Sequence, residues 1–190
     1  MSKTRLEAFS DGVIAILITI MVLELKLPQG TDWESLRAMA PIFSAYVLSF
    51  VFLGIYWNNH HHMLHATQKV NGKVLWANLR LLFWLSLVPF VTGWMGESHL
   101  APVPTAVYGI VLVCCGAAYT ILQTAIIGAN GPGSLLARAV GADFKGKISI
   151  VGYLAAIGAA FFDTRISAAL YVAVALTWLA PDPRIEQKIK

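Results

Sequence analysis

The fold is decided by residues 5–27, which read Arg-Leu-Glu-Ala-Phe-Ser-Asp-Gly-Val-Ile-Ala-Ile-Leu-Ile-Thr-Ile-Met-Val-Leu-Glu-Leu-Lys-Leu. As one helix rising about 1.5 Å per residue, this stretch is long enough to cross a bilayer. Its first half carries Arg5, Glu7 and Asp11, and a charged side chain facing lipid costs about 2.5–3.5 kcal/mol. Protein or water must therefore shield the polar half, which predicts an inner helix of a membrane protein.

Composition places the whole chain in the membrane class. Of its 190 residues 57% are hydrophobic and 13% are charged, whereas about 25% are charged in a soluble domain. We therefore expect an all-α membrane protein that forms a single domain over residues 1–190 within a lipid bilayer. Cys114 and Cys115 are adjacent and would point to different faces of a helix, so we expect neither a disulfide between them nor a metal pair.

Six apolar segments are predicted to form transmembrane helices, helix 1 to helix 6. Their approximate bounds are 4–27, 35–66, 73–95, 104–127, 147–162 and 165–180. Proline and glycine separate them, most clearly at Pro28 and in the runs 128–133 and 181–183. Residues 134–145 fit a short surface helix.

The lysines and arginines predict the orientation of the chain. If the N-terminus is cytoplasmic, only Lys26, Arg37 and Arg165 of the 14 lysines and arginines lie in outer segments. Inner loops of membrane proteins carry the excess of these residues, so both termini are predicted to be cytoplasmic. The net charge of +4 follows from this topology, and no basic-aromatic stripe favours nucleic acid.

Acidic residues gather at the opposite, outer ends of helices 1 and 2. They are Glu24, Asp32 and Glu34. A solvated loop is the ordinary explanation for such residues. Repeated around an oligomer, they would instead form a negative outer vestibule that concentrates cations.

One face of helix 1 is mostly apolar with a single hydroxyl. Its members recur at spacings of three and four residues: Gly12, Ile16, Thr19, Ile20 and Leu23. Ser10 and Asp11 point elsewhere, towards neighbouring helices. The pattern alone is explained by ordinary helix packing, with Thr19 bonded to its own backbone. An ion pathway along this stripe is the alternative.

A histidine cluster ends helix 2, where residues 56–65 read Tyr-Trp-Asn-Asn-His-His-His-Met-Leu-His. His61 and His65 have the spacing of two metal ligands on one helix face. No cysteine, acid or second histidine pair accompanies them at ligand spacing, so we expect no metal site. We expect side chains here and on helix 3 to satisfy the polar end of helix 1. The main candidates are Trp57, Asn59, Trp76 and Asn78.

These residues form motifs that resemble the transmembrane protein 175 family, the endosomal/lysosomal potassium channel and its prokaryotic relatives. The motifs are Arg5-x-x-x-Phe9-Ser10-Asp11, Tyr56-Trp57-x-x-His60-His61, Leu75-Trp76-x-Asn78 and Leu87-x-Pro89-Phe90. The resemblance covers roughly residues 3–97. Helices 4 to 6 match only in number and hydropathy.

The resemblance implies a homotetramer of six-helix subunits, with helix 1 of each lining a central pore for potassium ions. It implies no carbonyl filter and no cofactor. Counted from the motif, the family's apolar constriction falls on Ile16, its threonine layer on Thr19, and a further apolar ring on Ile20 or Leu23. The expected protein is a single-repeat, potassium-selective, multi-pass channel of a prokaryotic cell membrane, and not an enzyme.

The resemblance also implies a structural network at the cytoplasmic end of helix 1. In the family, polar side chains of helices 2 and 3 hold the first motif. The residues expected in this network are Arg5, Phe9, Ser10, Asp11, Trp57, His60, His61, Trp76 and Asn78.

Two other functions stay open from the residues alone. A proton-coupled secondary transporter would use Asp11 and the helix 2 histidines as a proton relay, although residues 1–95 and 96–190 show no evident internal repeat. A membrane redox protein would hold haem on His61 or His65. No hydrolase, kinase or dinucleotide motif is present.

Overall fold

The computed structural model describes residues 2–140 and 143–179. All the regular secondary structure in these ranges is α-helical, which confirms the all-α fold class. The helices of the described chain are α1 Lys3–Leu23, α2 Trp33–Ala38, α3 Ala40–His65, α4 Gly72–Ser86, α5 Val88–Glu97, α6 Pro102–Asn130, α7 Leu135–Val140, α8 Phe144–Ala159 and α9 Thr164–Leu179. The predicted end of helix 6 at residues 181–183 lies outside the described residues.

Four helical stretches of the described chain are long and apolar enough to cross a membrane. They are α1, α3, the stretch Gly72–Glu97 formed by α4 and α5, and α6. The remaining two predicted crossings correspond to α8 and α9, which have 16 residues each. At about 1.5 Å per residue they are about 24 Å long, shorter than the hydrocarbon core of about 30 Å. Six full crossings therefore stay a prediction.

Two of the predicted helices are interrupted beside prolines. Helix 2, predicted over 35–66, divides into α2 and α3 just before Pro41. Helix 3, predicted over 73–95, divides into α4 and α5 just before Pro89. Proline lacks the backbone N–H that a helix interior requires, and it disfavours helical geometry in the residue before it.

Helix 1 ends earlier than predicted, at Leu23 rather than near residue 27. The N–H of Leu25 donates to the carbonyl of Val22 at 3.2 Å, which closes a tighter turn than an α-helix has. Lys26 Nζ then lies 2.7 Å from Glu97 Oε1 at the end of α5. This ion pair joins the chain after α1 to α5.

The helices behind α1 are joined by polar contacts inside the apolar core. The hydroxyls of Ser49 on α3 and Tyr108 on α6 lie 2.9 Å apart, and Thr92 on α5 donates to Ser49 at 2.6 Å. Further from α1, the Tyr171 hydroxyl of α9 donates to the Thr105 carbonyl of α6 at 2.9 Å. Because unpaired polar groups are costly in hydrocarbon, these bonds fix the mutual register of α3, α5, α6 and α9.

Gly109 on α6 allows the close approach of α9, so Gly109→Ala is expected to destabilise the fold. An added Cβ would lie 2.7 Å from Ile157 Cγ1 and would collide with the Tyr171 hydroxyl. Breaking a buried hydrogen bond costs about 1–3 kcal/mol. Thermal unfolding of the purified protein should therefore show a lower midpoint for Gly109→Ala than for the wild type.

Gly128→Ala is the matched control, because a Cβ there meets nothing within 4 Å. Alanine has the higher helix propensity, so this variant should unfold at the wild-type temperature or slightly above it. Equal midpoints for the two variants would contradict the close packing of α9 on Gly109.

Candidate functional site

Helix α1 presents two different faces. Its inner face packs against α3, α4 and α5 and consists of Leu6, Ser10, Ile14, Leu17 and Met21. The opposite face is open in a single subunit and contains the predicted stripe: Gly12, Ile16, Thr19, Ile20 and Leu23. Ile16 is 57% exposed and Leu23 is 80% exposed. We call this side of the helix the open face.

Thr19 is the one hydroxyl residue within this stripe. Its Oγ1 lies 2.9 Å from the carbonyl oxygen of Ile16 and 3.2 Å from that of Ala15, and it donates to its own helix. The hydroxyl proton is thus used within α1, and the lone pairs of Oγ1 remain free on the exposed side. Such an oxygen can interact with a cation that passes along the open face.

A buried chain of hydrogen bonds fixes the first half of α1. Asn78 Nδ2 on α4 donates to Ser10 Oγ at 2.9 Å, and Ser10 donates to the carbonyl of Leu6 at 2.8 Å. Asn78 Oδ1 lies 2.8 Å from His60 Nε2 on α3. Ser10, His60 and Asn78 are each at least 99% buried. We call these three residues the anchor.

The anchor determines the tautomer of His60. Because Asn78 already donates through its amide nitrogen, its oxygen must accept, and Nε2 of His60 must carry the proton. Nδ1 of the neutral ring is then an acceptor, and it has no partner within the described residues. The histidine therefore serves to orient Asn78, which in turn orients Ser10.

A second set of contacts runs along the antiparallel helices α1 and α3. Trp57 Nε1 donates to Asp11 Oδ1 at 3.1 Å. Near the start of α1, Lys3 Nζ donates to the carbonyl of His65 at 2.8 Å and lies 3.7 Å from Glu7 Oε1. These contacts are more exposed than the anchor, and they align the two helices over their polar ends.

His61 lies between Trp57 and His65 in a stack of rings. The ring centroids of Trp57 and His61 are 6.1 Å apart, and those of His61 and His65 are 6.2 Å apart. Within the described residues, no group of three histidine, cysteine or acidic side chains is arranged to hold a metal ion. Of the two histidines at ligand spacing, His61 stacks on both Trp57 and His65.

Several residues expected in the network do not join it within one subunit. Arg5 and Phe9 lie on the open side of α1, and Trp76 is 75% exposed on α4. The side chains of Arg5 and Trp76 make no hydrogen bond within the described residues, and the ring of Phe9 is 48% exposed. Asn59 donates to the carbonyl of Ile55 in its own helix at 2.8 Å. The contact of Lys3 could not be predicted from residue types, because its acceptor is the backbone carbonyl of His65.

The acidic residues Glu24, Asp32 and Glu34 are exposed beyond the other end of α1. Asp32 Oδ1 accepts a hydrogen bond from the N–H of Ser35 at 2.7 Å and caps α2. This bond lowers the pKa of Asp32, because it stabilises the ionised form. Asp32 therefore remains negatively charged at neutral pH.

Comparison with known proteins points to one family. The model of the family described as endosomal/lysosomal potassium channel TMEM175 matches residues 5–89. A potassium channel of Chryseobacterium sp. (strain P1-3) is 55% identical over 190 residues, which covers 100% of this chain and 99% of that protein. A potassium channel of Streptomyces collinus (strain DSM 40733 / Tue 365) is 32% identical over 185 residues, covering 90% of this chain and 89% of that one.

A solved structure has the same fold. It is the crystal structure of a lysosomal potassium-selective channel TMEM175 homolog from Chamaesiphon minutus, with a TM-score of 0.81 and 27% sequence identity. The match covers 93% of this chain and 96% of that chain. The similarity therefore extends beyond residues 5–89 to the helices of the second half.

Asn78→Leu is expected to lower the stability of the fold, because it leaves His60 and Ser10 without their buried partner. Each unsatisfied buried group costs about 1–3 kcal/mol. Thermal unfolding in detergent should show a clearly lower midpoint than for Asn58→Leu, which makes the same change at an exposed position of α3. An unchanged midpoint for Asn78→Leu would show that the anchor contributes little.

Proposed function

The chain belongs to the TMEM175 potassium channel family, and from this premise we propose that it forms a homotetrameric potassium channel with a central pore lined by α1. As a member of this family, it is a membrane channel protein and not an enzyme. The proposal rests on one observation, the open face of α1. That face is uncovered in a single subunit, although the opposite side of the helix is packed.

Contact with lipid would be energetically unfavourable for the open face. Arg5 lies at its start, and a guanidinium facing lipid is costly. Four copies around a common axis would instead bring the open faces together around a water-filled path. One chain carries one repeat, so four chains are needed to surround the axis in the way that the family resemblance implies.

Ile16 is the proposed constriction. A four-fold ring of these side chains would be narrow and apolar, and it would block ions by the cost of dehydration when closed. Ile20 and Leu23 continue the apolar lining towards the other end of the pore. Opening then requires only a small displacement of α1 that widens the ring.

Thr19 is the proposed source of selectivity. Four Oγ1 atoms with free lone pairs would replace part of the water that an ion loses at the constriction. Potassium sheds its water at a lower free-energy cost than sodium, so incomplete replacement favours potassium. The exposed acids Glu24, Asp32 and Glu34 would raise the local cation concentration at the outer end of the pore.

The proposed channel also has a defined topology in the membrane. We place the Lys3 end of α1 and both termini in the cytoplasm, and we count α8 and α9 as the fifth and sixth crossings. Among the network residues, Asp11, Trp57 and His61 would align α1 with α3. The anchor would fix the buried side of α1 to α4 and α3. Arg5, Phe9 and Trp76 would find their partners in neighbouring copies.

Thr19→Ala should lower the preference for potassium over sodium several-fold, because it removes the four oxygen atoms. The measurement is the reversal potential under bi-ionic conditions in planar bilayers. Thr124→Ala is the control, since Thr124 is an exposed threonine of α6 that also bonds to its own helix. A reversal potential that Thr19→Ala leaves unchanged would remove the threonine layer from the account of selectivity.

Ile16→Asn should increase potassium flux. Four amide side chains around the pore would let water enter the constriction and lower the dehydration barrier for the ion. Flux from liposomes loaded with potassium is the measurement. Val22→Asn is the control, because Val22 is exposed on α1 but lies off the stripe. If Ile16→Asn and the wild type conduct equally, Ile16 is not the gate.

The same recordings distinguish the channel from a proton-coupled transporter. A channel gives unitary currents, whereas a transporter gives saturating flux that requires a proton gradient. Saturating, proton-coupled uptake without unitary currents would replace the proposed function by the transporter that uses Asp11 and the α3 histidines.

A further inference from the structure

A groove of about 770 Å³ lies between the start of α4 and the last turns of α6. Lys73 is at its α4 side, and Ile121, Ala125 and Gly128 form much of its α6 side. No residue of α1 lines it. The groove is therefore separate from the proposed pore.

Small residues keep this groove open. A Cβ added to Gly72 or to Gly128 would meet nothing within 4 Å, although α4 and α6 pack against each other along their length. The volume falls within the range of about 300–1,000 Å³ that is usual for ligand sites. The two helices thus separate enough at this end to admit another molecule.

The mouth of the groove is positively charged. The Lys73 side chain is exposed, and its ammonium makes no hydrogen bond or ion pair to the described part of the chain. Lys69 is exposed in the loop just before α4. Among the described residues, no acidic side chain lines the groove. The local potential therefore favours an anion.

Asn130 holds the two sides of the mouth together. Its Oδ1 accepts from the backbone N–H groups of Gln68 and Lys69 at 3.0 and 2.8 Å, and its Nδ2 donates to the Lys69 carbonyl at 3.1 Å. The loop before α4 is thus bound to the end of α6. Asn71 then caps α4 by accepting from the N–H of Val74 at 3.1 Å. Lys73 is therefore placed on a fixed frame, which lowers the entropic cost of binding.

The depth of the groove in a bilayer follows from helix length. The stretch Gly72–Glu97 has 26 residues, about 39 Å at 1.5 Å per residue, whereas the hydrocarbon core is about 30 Å thick. Its first turn, with Lys73, therefore reaches the level of the lipid headgroups. Ile121 lies seven residues before Gly128 on α6, about 10 Å nearer the centre of the bilayer.

The deeper wall of the groove has no free hydrogen-bond donor among its side chains. The hydroxyl of Thr120 donates to the carbonyl of Gly116 at 3.0 Å, and that of Thr124 donates to the carbonyl of Thr120 at 2.8 Å. The neighbouring wall residues Ile121 and Ala125 are apolar. This part of the groove suits hydrocarbon, whereas the mouth suits an anion.

We propose that the groove binds an anionic phospholipid such as phosphatidylglycerol, with its phosphate at Lys73 and an acyl chain along Ile121 and Ala125. A lipid carries its charge and its hydrocarbon in the same order along the membrane normal as the groove carries Lys73 and its apolar wall. A soluble anion would match the mouth alone. The site depends on the membrane location of the chain and not on the proposed pore.

The test titrates the purified full-length protein in detergent with phosphatidylglycerol or with phosphatidylcholine of the same acyl chains. Native mass spectrometry counts the lipids bound to each subunit. Lys73→Gln should weaken phosphatidylglycerol binding about fivefold, the usual effect of one lysine near an anionic lipid, and leave phosphatidylcholine binding unchanged. Gly128→Phe fills the groove and should abolish the preferred phosphatidylglycerol site.

Two variants of α8 are the matched controls. Lys147→Gln removes the charge of another exposed lysine, and Gly158→Phe adds a ring where a Cβ also meets nothing within 4 Å. Both should bind phosphatidylglycerol as the wild type does. Equal binding by the wild type and the two groove variants would overturn the proposal. A smaller oligomer for Gly128→Phe with unchanged lipid binding would also overturn it and assign the groove to a neighbouring copy.

A comparison of ligands on the wild-type protein does not depend on any variant folding. Phosphatidylglycerol should bind several-fold more tightly than phosphatidylcholine, and glycerol 3-phosphate, which has no acyl chain, should not displace it. Equal affinity for the two lipids would overturn the assignment of an anionic lipid site. Effective displacement by glycerol 3-phosphate would overturn it as well, because it would show a site for soluble anions.

Discussion

The hydrogen-bonded chain Ser10–Asn78–His60 is the interaction on which the rest of the structure depends. Its links are 2.9 Å and 2.8 Å long and join α1 to α4 and α3. In a hydrocarbon surrounding, an unpaired polar group costs several kcal/mol, so these side chains are stable only where they meet. Their pairing fixes which side of α1 is turned inward, and the open face follows from it by helical geometry.

The two halves of α1 are held by different kinds of contact. The first half has directional contacts, from the anchor and from the pairs Asp11–Trp57 and Lys3–His65. The inward side chains of the second half are Ile14, Leu17 and Met21, which are apolar. Directional bonds oppose small displacements more strongly than apolar packing does. The proposed gate at Ile16 thus lies in the half of α1 that can be displaced at a lower free-energy cost. The first half of the helix stays fixed by its hydrogen bonds.

The parts of this arrangement that depend on helical period were predictable from the sequence. Spacings of three and four residues separate Ile16, Thr19 and Leu23 from the inward residues, because a helix repeats every 3.6 residues. The breaks before Pro41 and Pro89 follow from proline chemistry. The end of α1 was not predictable, since it depends on the tight turn that Leu25 makes to Val22 and on the ion pair of Lys26 with the distant Glu97.

Contacts between different helices were harder to predict than the buried and exposed faces of a single helix. A motif groups Arg5, Phe9 and Trp76 with Ser10 and Asn78, but it does not say whether the contact forms within one copy or between copies. The bond from Lys3 to the backbone carbonyl of His65 cannot be predicted from residue types, because every residue has such a carbonyl. The cavity lined by Tyr56, Tyr119 and Tyr153 likewise forms only where α3, α6, α8 and α9 pack together.

Chemical labelling of the open face tests the central claim most directly. In a background in which Cys114 and Cys115 are replaced by alanine, Thr19→Cys would place a thiol on the open face and Ile14→Cys one on the buried face, where Ile14 is 0% exposed. A cationic methanethiosulfonate reagent should block potassium flux through Thr19→Cys in liposomes and leave Ile14→Cys unaffected. Full flux through Thr19→Cys after verified labelling would contradict a pore lined by the open face of α1.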